Sequence, residues 1–378
     1  MVDRCTVVKY PAGMKREPIR PVELRKDYCG GMKFDENFDW DNLFYDAVQL
    51  DANTIILVGP PLYQTANMMA ADWKFSDGAN NLGFSITGMD RTCITVVNTD
   101  TWVKELTLTH AEPITIPVNV IDSKLNGLKC LFTLQKDNPI SWIKQWIQYH
   151  HVNFGVDGVL IYDNNSQSYS IEELEAQLQI PGITVKVVAW DIPYGPQGYA
   201  CDYYNTWDSD YAQSSMFEHA KRRYLSNALI AINADIDELL VIEGASLDMA
   251  INAISSQGLA GLCYKGRWIE PYDINAGTPA NQIPLEDRQF TDYHCIDQRN
   301  PIDIGNKWMV IPSKAMTCQW SVHNTSANMP QTIDIYYGHY MAMNTNWSWS
   351  RDSYDRDTTG LTVDTGLMHN LSKIRTTK

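Results

Sequence analysis

Four apolar runs of seven or eight residues recur along the chain: LKCLFTL, DGVLIYD, ITVKVVAW and ALIAINA, between residues 128 and 234. The segments between them have helical spacing. DNPISWIKQWIQYHHV predicts a helix with Asn138 as N-cap and Pro139 at its first position. Ile140, Ile143, Trp146 and Ile147 share one face of it. SIEELEAQLQ predicts a short helix opened by a Ser170/Glu173 capping box and stopped by Pro181 and Gly182. Ser215 and Glu218 make a second box, predicting a helix through about Asn227. Such alternation predicts a mostly parallel sheet with helices on both faces.

In open sheets of that kind, ligands gather beyond the carboxyl ends of the strands. Three of these ends are polar: Lys136-Asp137-Asn138, Asp163-Asn164-Asn165 and Asp235-Ile236-Asp237-Glu238. The last raises a physical question, because three carboxylates within four residues repel one another. Read as an extended segment, it points Asp235 and Asp237 to one side and Ile236 into the core. A cation between the two carboxylates offsets the repulsion. Hard oxygen ligands suit Mg2+ or Mn2+, which bind through few protein groups and complete their shell with phosphate and water. A metal-bound diphosphate is the chemistry expected, with Glu238 either bracing nearby backbone or supporting the metal ligands from behind.

Residues 40 to 122 have another texture. NTIILVG, FSITG, TCITVVN, KELTLTH and ITIPVNVI are short β-branched runs separated by Gly, Asp, Asn and Pro. They predict a β-rich accessory domain over residues 1–125, a small sandwich, ahead of an α/β domain over 126–378. The first 35 residues are irregular.

The net charge of −15 excludes a general electrostatic affinity for nucleic acid or anionic membrane. No apolar run reaches the roughly 18 residues of a membrane span, and the first twenty residues lack a signal-peptide core. Eight cysteines without a C-x-x-C pair predict reduced thiols and no cysteine metal site. The expected location is cytoplasmic, with peripheral membrane association as an option.

CLFTLQKDNPISWIKQWIQYHHVNFGVDGVLIYDNNS resembles the opening of the glycosyltransferase family 92 domain and its family-2-like relatives. INADIDELL resembles their D-x-D-E-F segment, with Leu239 in place of Phe. GNKWMVIPSKAMTCQWSVH and GHYMAMNTNWSWSR resemble the later K-W-x-x-x-P, V-H and H-Y elements. The resemblance spans roughly residues 129 to 351. It implies a GT-A (nucleotide-diphospho-sugar transferase) Rossmann-like fold, a nucleotide-sugar donor with UDP favoured, a glycan acceptor, Mn2+ or Mg2+, and inversion at the anomeric carbon.

Roles follow from that resemblance. Asp237 is the foremost metal ligand, with Asp235 on the metal or the donor ribose, and His323 resembles a late histidine that completes such sites. Asp163 and Asn164 fall where the base or ribose is held, and Lys136 and Asn138 where the first strand meets the nucleotide. One member of Lys221-Arg222-Arg223, taken as Arg222, reaches a phosphate, and His219 is a further donor contact. An inverting transfer needs a general base, and Glu270 in GRWIEPY is the first carboxylate after the metal loop in a suitable position. His339, Tyr340, Trp347 and Arg351 form a candidate C-terminal lid; Trp268, Trp308, Trp347 and Trp349 are candidates for stacking on sugar faces. Two rival readings exist. A carbohydrate-binding or adhesion protein leaves the polar strand ends unexplained. Another carboxylate-metal enzyme acting on nucleotides would use the same acids.

Overall fold

The computed structural model describes residues 2–19, 34–89, 91–196, 210–299, 304–345 and 351–375. The chain divides into two compact units, one of residues 1–2, 125–187 and 227–378, the other of 3–124 and 188–226.

The first unit is built on strands β1 (Lys129–Gln135), β2 (Gly158–Asp163), β3 (Thr184–Ala189), β4 (Ile230–Asn233), β5 (Glu238–Ile242), β6 (Gly261–Ile269), β7 (Lys307–Val310) and β8 (Gln331–Tyr340). They lie in the order β3-β2-β1-β4-β7-β6-β8-β5. Its main helices are α1 (Ile140–Phe154), α2 (Ile171–Gln177), α3 (Leu247–Ser256) and α4 (Thr365–Arg375). β1 runs parallel to β2 and β4, as the alternation predicts. Beyond β4 the sheet becomes mixed: β7 is antiparallel to β4 and β6, β8 is parallel to β6, and β5 is antiparallel to β8. Parallel neighbours need a crossover of a dozen residues or more. The link from β4 to β5 is only residues 234–237, so the alternation stops there.

β6 serves two partners. It pairs with β7 over Gly261–Tyr264 and continues beside β8 to Ile269, with a register shift between Tyr264 and Lys265. A Cβ at Gly261 would lie 2.1 Å from the Met309 carbonyl oxygen, so this approach requires glycine.

Helix α1 explains why its sequence carries three polar aromatics on an apolar face. Trp142, Ile143, Trp146, Ile147, Tyr149 and His150 are buried. The Trp146 indole N–H donates to the Glu238 carbonyl at 3.1 Å, the Tyr149 hydroxyl to the Leu240 carbonyl at 2.8 Å, and the Leu240 N–H to His150 Nε2 at 3.3 Å. These bonds answer backbone groups of β5 at the sheet edge. Burial pushes His150 down to about 4, so its ring stays neutral and can accept. The helix starts at Ile140 with Pro139 as its cap, one residue later than predicted, because the Asn138 amide bonds Gln135 instead.

The second unit holds a five-stranded and a four-stranded sheet, with Leu57, Val97, Phe75 and Leu108 in its apolar interior. Residues 188–226, which the sequence alternation attaches to the later part of the chain, group here. Their helix, Tyr211–Arg223, starts four residues before the Ser215 predicted as its cap. Ser215 is instead inside the helix, its hydroxyl donating to the Gly59 carbonyl at 3.2 Å. Ser170 does cap its helix: its hydroxyl accepts from Glu173 N–H at 3.1 Å, the Ser half of the predicted box.

Candidate active site

The turn between β4 and β5 carries the three carboxylates. It is closed rather than extended: the Glu238 N–H donates to the Asp235 carbonyl at 3.0 Å. The Glu238 side chain accepts in return from the Asp235 N–H at 2.9 Å, the bracing expected of it. Ile236 points into the core, as predicted.

The repulsion is offset by cations from distant segments. Lys307, at the start of β7, lies 2.7 Å from Asp235 Oδ2 and 3.0 Å from Glu238 Oε2, and its side chain is only 1% exposed. Burial works against its charge, but Asp235 and Glu238 hold its pKa well above the ordinary value. Burial raises Glu238 to about 7, with Lys307 pulling it down and Asp235 pushing it up. Asp237 has a different pair of partners. His339 Nε2 lies 3.1 Å from its Oδ2, and Arg351 Nη2 lies 3.4 Å from the same oxygen. Burial raises this carboxyl, but His339, then Arg351 and Lys307, more than offset it, so it stays below its ordinary value and ionised.

His339 is fixed by strand register. It faces Glu238 across β5 and Trp268 across β6. The Trp268 and His339 rings stack with centroids 4.4 Å apart, and the Arg351 guanidinium lies 5.6 Å from the Trp268 ring centre. Trp268 is half-buried, which leaves an aromatic surface beside the carboxylates.

Asp235 and Asp237 supply oxygen donors of the kind a hard divalent cation takes. Asp235 and Asp237 each engage their charged partners through Oδ2, and the side chains are 34% and 16% exposed. Each thus has a second carboxylate oxygen to offer, which suits an ion that keeps water and phosphate in its shell. His323 is exposed; its Nδ1 lies 3.2 Å from the Asn306 carbonyl, and the ring is within electrostatic reach of Lys307, Asp235 and His339.

Glu270 follows β6 two residues beyond Trp268 and is buried. Arg356 Nη1 lies 3.8 Å from both Glu270 and Asp297. Burial raises the Glu270 carboxyl above its ordinary value, Arg356 opposes this, and Asp297 adds to it.

The other polar strand ends form a tight network. Asp163 accepts from the Gln135 amide, and from the Ser166 hydroxyl at 2.6 Å. Asn164 is buried beside it, its N–H on the Gln135 carbonyl at 2.9 Å. The Asn138 amide donates to Gln135 Oε1 at 3.3 Å, and Lys136 is exposed.

Two expected donor contacts are engaged inside the second unit instead. His219 is fully buried; its Nε2 lies 2.8 Å from Asp46 Oδ2, and its ring stacks on Trp190. Arg222 and Lys221 both pair with Glu218, and Arg223 pairs with Asp46 and Asp3, so the basic run has carboxylate partners within its own unit. The helix folds this way because buried carboxylates require partners. Cys5, Asp46 and His219 have ligand-type atoms within 4.8 Å of one another. Both Asp46 oxygens are taken, Oδ2 by His219 and Arg223 and Oδ1 by the Thr6 N–H and the Asn119 amide, so this cluster has no carboxylate oxygen to offer a hard dication.

Trp308 and Tyr340 are core residues rather than sugar platform and lid. Trp347 and Trp349 lie outside the described residues. Among the described residues, no helix is long and apolar enough to cross a membrane.

The chain is a glycosyltransferase. The family model of glycosyltransferase family 92 matches residues 129–369, well over half of its length, and the chain belongs to that family. No curated protein matches it.

Proposed function

We propose that this glycosyltransferase uses a nucleoside-diphosphate sugar, with UDP favoured, and transfers the sugar to a glycan hydroxyl with inversion, on a GT-A-type arrangement. The observation that carries the reading is the Asp235–Asp237 turn at the end of a buried parallel strand, braced by Glu238 and Lys307. Asp235 and Asp237 would hold Mn2+ or Mg2+. A bound divalent cation supplies Lewis-acid neutralisation of the leaving diphosphate. The protein's own residues do the rest. Lys307, with Glu238, keeps the turn shut, which would limit the rearrangement needed to bring the two carboxylates onto one ion. Trp268 offers a stacking surface for a sugar face beside them.

Glu270 is the general base in this reading. A buried carboxyl with a raised pKa is better matched to removing a hydroxyl proton near neutrality than an ordinary one. It takes that proton as the hydroxyl oxygen attacks the anomeric carbon. Asp163, Asn164, Lys136 and Asn138 are proposed to flank the nucleoside, and His323 remains a candidate third ligand. The test is release of nucleoside diphosphate from UDP- and GDP-sugars with Mn2+ and with chelator. Metal-dependent release, faster with an acceptor glycan, is expected. Binding of glycan without turnover of any donor would favour a lectin-like role.

A further inference from the structure

We propose that Arg351 is a two-position residue: it is the counter-ion of Asp237 when no metal is bound, and it turns to grip the donor diphosphate when metal arrives. The proposal rests on the reading of Asp235 and Asp237 as metal ligands. The two cations at the turn are held in different ways. Lys307 is 1% exposed and bridges two carboxylates from within the β7 framework, so it is fixed. Arg351 reaches Asp237 from an irregular C-terminal segment, at 3.4 Å, with its other terminal nitrogen 3.2 Å from His339 Nε2. Its backbone is tethered by the next residue. Asp352 pairs with Arg288 at 2.9 Å, and its carbonyl accepts from the Asn281 N–H at 2.9 Å. From that root the side chain, 13% exposed, lies over the face of Trp268, and its reorientation toward a diphosphate needs only rotation about its own bonds.

A dication at Asp237 and a guanidinium on the same carboxylate repel each other, and at short range inside a protein that repulsion is strong. Metal alone, even on the Asp237 oxygen that Arg351 does not engage, meets that repulsion and gains nothing from the guanidinium. Metal with a diphosphate gives the guanidinium a better partner, since its planar fork matches phosphate oxygens in pairs. Arg351 thus makes metal binding and diphosphate binding mutually favourable, a coupling that is reciprocal by linkage.

The test is Mn2+ titration followed by electron paramagnetic resonance, with and without UDP or GDP, on the full chain. In wild type, nucleoside diphosphate should tighten Mn2+ binding by at least about fivefold, the lower range of ordinary coupling. Arg351→Gln should bind Mn2+ alone more tightly than wild type and the nucleotide in Mn2+ more weakly, so the coupling falls to what direct coordination of the diphosphate by the metal supplies. Arg351→Lys keeps the charge and loses the fork: Mn2+ alone should bind near the wild-type affinity, and nucleotide more weakly. Unchanged coupling in Arg351→Gln, or weaker binding of Mn2+ alone, overturns the proposal while leaving the metal reading intact. Retention of Mn2+ binding by Asp237→Asn, or no nucleotide binding by wild type, overturns both.

Discussion

Glu270 sits between two opposing charges, and that gives its proposed role a signature. Arg356 pulls its pKa down, while burial and Asp297 push it up. Tyr354 and Arg299 lie in the same charged neighbourhood. A base must be deprotonated to work, so activity is lost as pH falls through its pKa. Arg356→Gln should move the acidic limb of kcat/KM to higher pH, and Asp297→Asn should move it to lower pH. Two shifts of the same sign, or none, would show that Glu270 does not govern the limb. Glu270→Gln itself should lower turnover by roughly 10² to 10⁴-fold at constant donor affinity.

The Lys307 ammonium is a second residue whose effect can be sized. It is buried between Asp235 and Glu238. Removing one partner from a buried ion pair typically costs about 3 to 5 kcal/mol, because a charge is left uncompensated. Lys307→Met should lose stability of that order in urea denaturation, whereas Lys307→Met combined with Glu238→Gln should recover part of it. A loss below about 1 kcal/mol would place the pair with ordinary surface bridges.

Among elements, the union of α1 with β5 matters most for the site, since it holds the strand that follows the carboxylates. Tyr149→Phe removes the donor to the Leu240 carbonyl and the acceptor of the Asn370 amide. A buried group left unsatisfied costs about 1 to 3 kcal/mol. Denaturation of the variant should report a loss in that range, and a neutral result would mean that water reaches the edge of β5. In the second unit, the helix Tyr211–Arg223 is tied down by Asp46. Burial raises that carboxyl, but His219 and Arg223 more than offset it and hold it below its ordinary value. A depressed carboxylate contributes stability above its unfolded pKa and loses it as pH falls through the folded one. Asp46→Asn should therefore destabilise at pH 7 and matter progressively less below about pH 4, where the unfolded-state aspartate titrates.

Elements also show what could be read in advance. The strands from β1 to β4, the face of α1, the Ser170 cap, the inward Ile236 and the bracing by Glu238 all depend on neighbours in sequence, and all were legible. Ser215 and Glu218 satisfy the same capping pattern, yet the distant Gly59 carbonyl claims the first side chain, and Lys221 and Arg222, one turn further along the helix, claim the second. The cations at the turn were not legible as a set. Lys307 is 72 residues from Asp235, and His339 and Arg351 are 102 and 114 from Asp237. No local pattern announces a pairing that the mixed half of the sheet creates. The K-W and H-Y elements were visible as motifs, and the structure supplies the reason for their charged members.

On the scale of the whole molecule, the family match covers residues 129–369, and much of the strand-rich unit, residues 3–124, lies before it. The chemistry proposed here is contained in the first unit, where the braced turn, Trp268 and Glu270 are found. Its central claim is that Asp237 carries a divalent cation for a nucleoside diphosphate. Calorimetric titration of UDP and GDP into wild type and Asp237→Asn, in Mn2+ and in chelator, tests that claim most directly. Wild type should bind in Mn2+ only and Asp237→Asn not at all, with the variant still folded, because the residue lies in a turn and asparagine keeps a hydrogen-bonding oxygen for His339 and Arg351. Equal nucleotide binding by the two proteins, or binding indifferent to chelator, would contradict it.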